Sequence, residues 1–212
     1  MIKLYDFLPC PFGQKVRIIL AEKGLSYELV QIDLTQGEQR KPEFLRLNPF
    51  GRVPVLIDED ITVYDSTIIA EYLEDEYPEP PLFPAVGSSA LRARARTWED
   101  FADTSFTAQV GQLMSEMGKP EGDRDPTRLQ RSQNLIERAL NFVNHELQGQ
   151  EFLAQQFSVA DIAFVPRLVV LKDLGLEPGQ NRPNVEAWLN RMIDRPSIQS
   201  LEGLTVQLLA GV

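Results

Sequence analysis

The chain carries one cysteine and one histidine in 212 residues, and these two scarcities exclude more than any motif does. A single cysteine rules out a framework of intrachain disulfides and fits a reducing compartment, here read as the cytoplasm. One cysteine and one histidine also argue against a zinc site, so no metal cofactor is expected. No apolar run approaches the roughly 18 residues that a membrane helix needs. The opening Met1-Ile2-Lys3-Leu4-Tyr5-Asp6 lacks the form of a secretion signal and reads as a first strand. Positive charge is scarce as well. With 21 Lys and Arg against 31 Asp and Glu the net charge is −10 and no basic patch stands out, so neither nucleic acid nor a membrane is expected as a partner. Walker loops, GxGxxG and HExxH are missing.

What is present is an ordinary globular composition, 43% hydrophobic and 25% charged, in a chain long enough for one large or two small cores. The most informative stretch surrounds the cysteine, Leu8-Pro9-Cys10-Pro11-Phe12-Gly13-Gln14-Lys15-Val16-Arg17-Ile18-Ile19-Leu20. Phe12, Val16, Ile19 and Leu20 recur at helical spacing, and a proline suits the first helical position. Cys10 is therefore expected at the N-cap, with unsatisfied N–H groups and the positive end of the helix dipole at its sulfur. Such placement favours the thiolate, with pKa values of roughly 3.5–7.5 against about 8.5 for a free thiol. The alternative for a lone cysteine is a small buried hydrophobe.

In order along the chain, Gly24 ends the first helix and Ser26–Ile32 alternates as a second strand. A polar stretch with Gln39, Arg40 and Lys41 leads to a short helix at Glu43-Phe44-Leu45 and a turn at Asn48-Pro49-Phe50-Gly51. Val53–Ile57 and Ile61–Tyr64 read as a hairpin around Asp58-Glu59-Asp60, and Asp65-Ser66-Thr67 caps the next helix. The order β-α-β-α-β-β-α describes an α/β domain over residues 1–78. Four prolines between Tyr77 and Pro84 make a stiff linker, assigned to 79–87. Residues 88–212 read as an all-helical domain. Ser89–Met117 and Pro126–Leu147 are long helical patterns. Ser158-Val159-Ala160-Asp161 is a capping box opening a helix that is apolar nearly all round, through Phe164, Val165, Leu168 and Leu171. Val185–Ile193 and Ile198–Val206 supply two more segments, split by Arg195-Pro196. His145, late in its helix, reads as a surface residue.

Four features together resemble the cytosolic type of glutathione transferase over essentially the whole length. They are Cys10-Pro11-Phe12 with the helix after it, Leu47 to Leu56 around Asn48-Pro49-Phe50-Gly51-Arg52-Val53-Pro54, Asp65-Ser66, and Ser158 to Asp161. The Cys-Pro-Phe is similar to the omega and dehydroascorbate-reductase classes. The Arg40–Leu45 run and the Asn-Pro-Phe-Gly segment are closer to the phi class, and Ser-Pro-Phe is the tau version of the first motif. The resemblance implies a thioredoxin-like N-terminal domain, an all-α C-terminal helical-bundle domain, a homodimer, and glutathione as co-substrate.

It also implies a site. Cys10 would be the catalytic residue, with Phe12 among the residues that bind glutathione. Val53-Pro54 would be a cis peptide whose Val53 backbone pairs with the cysteinyl backbone of glutathione. Asp65 and Ser66 would hold the γ-glutamyl end, and Gln39, Arg40 and Arg52 the glycyl carboxylate. A small electrophilic or disulfide substrate would sit between the domains, against Trp98, Phe101, Ser105, Phe106 and Gln109, for whose aromatics packing in the helical core is the alternative. Without a second thiol, Cys10 would work by a monothiol cycle, attacking a glutathionylated substrate and being released by free glutathione; conjugation of glutathione to electrophiles is the other possibility, and Tyr5 a second choice of catalytic residue. Val16–Gly24 and Tyr72–Pro81 also resemble stringent starvation proteins, which share the fold and bind RNA polymerase without catalysis.

Overall fold

The computed structural model describes residues 1–201. Strands β1 (Ile2–Asp6), β2 (Tyr27–Gln31), β3 (Val55–Asp58) and β4 (Ile61–Tyr64) form one sheet in the order β2-β1-β3-β4. β1 runs parallel to β2 and antiparallel to β3, which pairs antiparallel with β4. The parallel pair is joined by α1 (Pro11–Glu22), as the crossover between parallel strands requires. Gly24 ends that crossover at φ +65°, in the left-handed region that favours glycine. β1 buries Ile2, Leu4 and Asp6 on one side. Its last inward position is therefore a charge, not a hydrophobe.

The short α2 (Pro42–Leu45) precedes the hairpin, and α3 (Ser66–Glu76) follows it with Asp65 as N-cap. The helical region comprises α4 (Ser89–Asp100), α5 (Thr107–Met117), α6 (Pro126–Glu146), α7 (Val159–Ile162), α8 (Val165–Leu168), α9 (Pro183–Ile193) and α10 (Pro196–Gln199). The Tyr77–Pro84 stretch is not a free spacer. Glu74 accepts from the N–H groups of Leu82 and Phe83, Lys23 Nζ donates to the carbonyls of Tyr77 and Pro80, and both Leu82 and Phe83 are buried. A single core continues from the sheet through α1 and α3 into the helices, where Trp98, Phe106, Phe164 and Trp188 meet. A smaller cluster of Ile32, Phe44, Val53 and Val55 holds Tyr5, Phe7 and Cys10 against it.

Three helical expectations are modified. Ser89–Met117 is helical throughout, but Phe101–Phe106 between α4 and α5 is a π-helical stretch. The helix opened at Ser158 is buried as expected, yet it breaks into α7 and α8 because Pro166 cannot donate to the preceding turn and its ring crowds the Ile162 carbonyl. α10 ends at Gln199, and the rest of the expected Ile198–Val206 segment, from 202 on, lies outside the described residues. The capping box is in place: Asp161 accepts from the Ser158 N–H at 3.0 Å and also from Trp188 Nε1 at 2.9 Å. None of the described helices is long and apolar enough to cross a membrane.

Candidate active site

Cys10 is the N-cap of α1, with extended backbone at φ −70° and ψ 122° and Pro11 as the first helical residue. Its N–H donates to the Phe7 carbonyl at 2.7 Å, and its carbonyl accepts from Gln14 N at 2.9 Å. The loop before it is pinned at one oxygen: the Leu8 carbonyl accepts from Gln14 Nε2 at 3.1 Å and from Arg17 Nη2 at 2.6 Å. Arg17 Nε also lies 3.1 Å from Asp6 Oδ2, and both side chains are buried.

The expected depressed thiol is not what this environment produces. Burial pushes the Cys10 thiol up to about 11, and the Asp6 carboxylate beneath it adds to the rise. The backbone N–H groups of Gly13 and Phe12 and the Arg167 guanidinium act in the opposite direction and are outweighed. The helix N-terminus does favour the anion, but one turn of N–H groups does not offset desolvation next to another anion. Burial likewise lifts Asp6, to about 7, against the pull of Arg17. The carboxylate approaches α1 so closely that a Cβ on Gly13 would lie 1.7 Å from Asp6 Oδ1. Only glycine fits there.

A cleft of about 640 Å³ opens beside the cysteine, lined from the sheet domain by Phe12, Asn48, Phe50, Arg52, Val53, Pro54, Tyr64, Asp65, Ser66 and Thr67. The π stretch and the end of α4 close it with Asp100, Asp103 and Thr104. Val53-Pro54 is a cis peptide. Asp65 holds φ +75°, uncommon for a residue with a side chain, while its Oδ1 accepts from Thr67 N at 2.9 Å. Ser66 is buried at the start of α3, an 11-residue helix whose first N–H groups and dipole favour an anion. Among the described residues of the cleft wall Arg52 is the one cation, beside three aspartates, Asp65, Asp100 and Asp103.

Behind this wall Lys15, fully buried on α1, bridges the two halves. Its Nζ donates to Glu99 Oε1 and to Asp103 Oδ2, each at 2.5 Å, and Thr67 Oγ1 donates to Glu99 Oε1 at 2.5 Å. Asp103 is lifted to about 6 by burial, with Lys15 pulling it back and Glu99 and Asp65 adding to the rise.

Of the residues expected at the site, Phe12, Arg52, Val53, Pro54, Asp65 and Ser66 come together on the cleft. Cys10 lies just behind Phe12, packed with Val53 and Val55, and is not itself part of the cleft wall. Gln39 and Arg40 sit on a short 3-10 turn outside the wall; Arg40 is exposed, and Gln39 Oε1 is buried without a hydrogen-bond partner. Tyr5 packs on Phe44. The residues expected to hold the electrophile separate. Trp98 and Phe106 are core residues around Phe164. Phe101, Ser105 and Gln109 line a different depression, of about 470 Å³, shared with Leu135, Arg138, Ala139 and Phe142 along α6. The cleft faces Asp100, Asp103 and Thr104, which were not foreseen. Lys15 carried the one available signal, a cation within an otherwise apolar helix face.

Comparison with known proteins agrees with this geometry. Residues 4–81 match the glutathione S-transferase N-terminal domain and residues 106–196 the glutathione S-transferase C-terminal domain. Glutathione S-transferase 3 of Zea mays is 30% identical over 208 residues, covering 93% of this chain and 91% of that protein. A stringent starvation protein A homolog of Haemophilus influenzae is 31% identical over 191 residues, covering 88% and 82%. The crystal structure of glutathione transferase URE2P6 from Phanerochaete chrysosporium, in complex with oxidized glutathione, superposes with a TM-score of 0.84 at 32% identity, covering 94% of each chain.

Proposed function

Because the chain belongs to the glutathione transferase family, we propose that it is a glutathione-dependent enzyme whose chemistry runs through the Cys10 sulfur. Glutathione would lie in the cleft, its cysteinyl backbone along Val53, its γ-glutamyl end at Asp65 and Ser66, and its glycyl carboxylate toward Arg52, with Gln39 and Arg40 farther out. The observation that carries the reading is the cleft itself, in which Arg52, the cis Val53-Pro54 peptide, Asp65 and Ser66 come together beside the N-cap cysteine of α1.

In thiol transfer the Cys10 thiolate attacks the glutathionyl sulfur of a mixed disulfide, forming Cys10–S–S–glutathione and expelling the substrate thiolate. A second glutathione thiolate then attacks the same sulfur, giving oxidised glutathione and regenerating the Cys10 thiolate. A second reading, conjugation, is favoured by one finding: a thiol lifted to about 11 is protonated at neutral pH and can donate its hydrogen to the glutathione sulfur. Paired assays on wild type and Cys10→Ser separate the two. Thiol transfer predicts that glutathione-dependent reduction of a mixed disulfide or of dehydroascorbate is lost in Cys10→Ser. Conjugation predicts that an aromatic halide is consumed equally by both proteins.

The starvation-protein resemblance supports a non-catalytic partner of RNA polymerase instead. Such a protein needs neither the cleft nor the thiol, and retention on immobilised glutathione with elution by free glutathione discriminates against it. The family reading also assigns a homodimer, to be measured by light scattering, and a cytoplasmic location, where glutathione keeps a lone thiol reduced.

A further inference from the structure

Among the described residues the partly buried arginines other than Arg167 have an oxygen acceptor: Arg92, Arg124 and Arg191 donate to backbone carbonyls. Arg17 holds Asp6, Arg182 holds Glu137 and Arg195 holds Glu22 in a two-pronged pair. Arg167 has no carboxylate partner among the described residues, although acidic groups outnumber basic ones in the chain. Among the described residues its Nη1 donates only to the Met114 thioether at 3.1 Å, a weak acceptor, and its buried Nε has no hydrogen-bond partner. α8, which carries it, packs on α1, and the guanidinium and the Cys10 sulfur interact electrostatically. Leaving a charged donor desolvated and unpaired is costly, and a carboxylate supplied by a ligand would relieve it.

We propose that Arg167 is the anion contact of the second-substrate site, so that the enzyme selects acceptors bearing a carboxylate near the sulfur with which Cys10 reacts. This rests on the glutathione reading above. The carboxylates of glutathione itself are assigned to the cleft, at Ser66 and Arg52, and Arg167 is not in the cleft wall. It reaches toward Cys10 from α8, which packs on α1, while donating to Met114 of α5. The second-substrate side of the site is therefore built from α5 and α8, not from the Trp98–Gln109 face.

Two inert thioethers, S-(2-carboxyethyl)glutathione and S-(2-hydroxyethyl)glutathione, test this by calorimetry without any turnover. Wild type should bind the carboxyethyl compound about tenfold tighter or more, the two should differ by less than about twofold in Arg167→Gln, and Arg167→Lys should recover part of the preference. The affinity of Arg167→Gln for glutathione alone should be unchanged. Equal binding of both compounds by wild type overturns the proposal, whether or not the variants fold. So does a preference that survives in Arg167→Gln, or a loss of plain glutathione binding in that variant, which would assign the contact to glutathione itself. If wild type binds neither thioether nor glutathione, the glutathione reading fails with it. If it binds all three without a charge preference, only this proposal fails.

Discussion

A buried charge beneath a thiol sets the chemistry at the scale of single residues. Asp6 ends β1 pointing inward, against Gly13 and Arg17, and its negative charge adds to the burial that keeps the Cys10 proton in place. Asp6→Asn should lower the pKa of Cys10 from about 11, shifting its rate of alkylation by iodoacetamide toward lower pH; an unshifted profile would mean that burial alone holds the proton. Gly13→Ala forces a Cβ to 1.7 Å from Asp6 Oδ1, and since that oxygen belongs to a buried, ion-paired side chain, α1 must shift. The loss should be about 2–3 kcal/mol in urea unfolding, at the upper end for an overpacked core. The position of Cys10 at a helix start was legible from Pro11 and the periodicity after it. Its protonation was not, because it is set first by burial in the folded chain and then by Asp6, a residue that reads as the end of a strand.

The π-helical stretch between α4 and α5 explains at the scale of elements why the expected electrophile site came apart. A π turn takes more residues than an α turn, so side chains projected at 3.6-residue spacing arrive on a different face. Asp100 and Asp103 line the cleft, Phe101, Ser105 and Gln109 line the depression along α6, and Thr104 borders both. Local propensity carried the four strands and the caps at Cys10, Asp65 and Ser158, but a change of helical period has no signature in composition. The break at Pro166 was readable and outweighs the apolar pattern around it. Lys15 is where α1, α3 and the α4–π helix meet, through Thr67, Glu99 and Asp103. Lys15→Met would leave two carboxylates buried without their cation, and about 3–5 kcal/mol of stability should be lost in denaturant titration. A loss below about 1 kcal/mol would place that network on the footing of a surface ion pair.

The two regions of the whole molecule share one core and a set of buried carboxyls. Asp6 at about 7, and Asp103 and Asp161 at about 6, all hold their protons more tightly folded than unfolded, chiefly through burial. Their contribution to stability is complete below the unfolded carboxyl range near pH 4 and falls as pH rises through about 6–7. Urea midpoints of wild type and Asp6→Asn should therefore move apart in favour of the variant between pH 5 and pH 8; a constant difference would mean that Asp6 titrates alike in both states. The fold at this scale, an α/β domain followed by helices, was readable from the order of strand and helix patterns and the proline-rich junction. The continuity of the core across that junction was not, since it depends on which faces of α1 and α3 meet α4 and α7. The most direct test of the account is the intact mass of the protein after exposure to oxidised glutathione and again after free glutathione. The account predicts one glutathionyl adduct, on Cys10, that free glutathione removes and that Cys10→Ser never forms. A protein that binds glutathione yet acquires no adduct would contradict Cys10 as the nucleophile and leave it as a hydrogen-bonding neighbour of the glutathione sulfur.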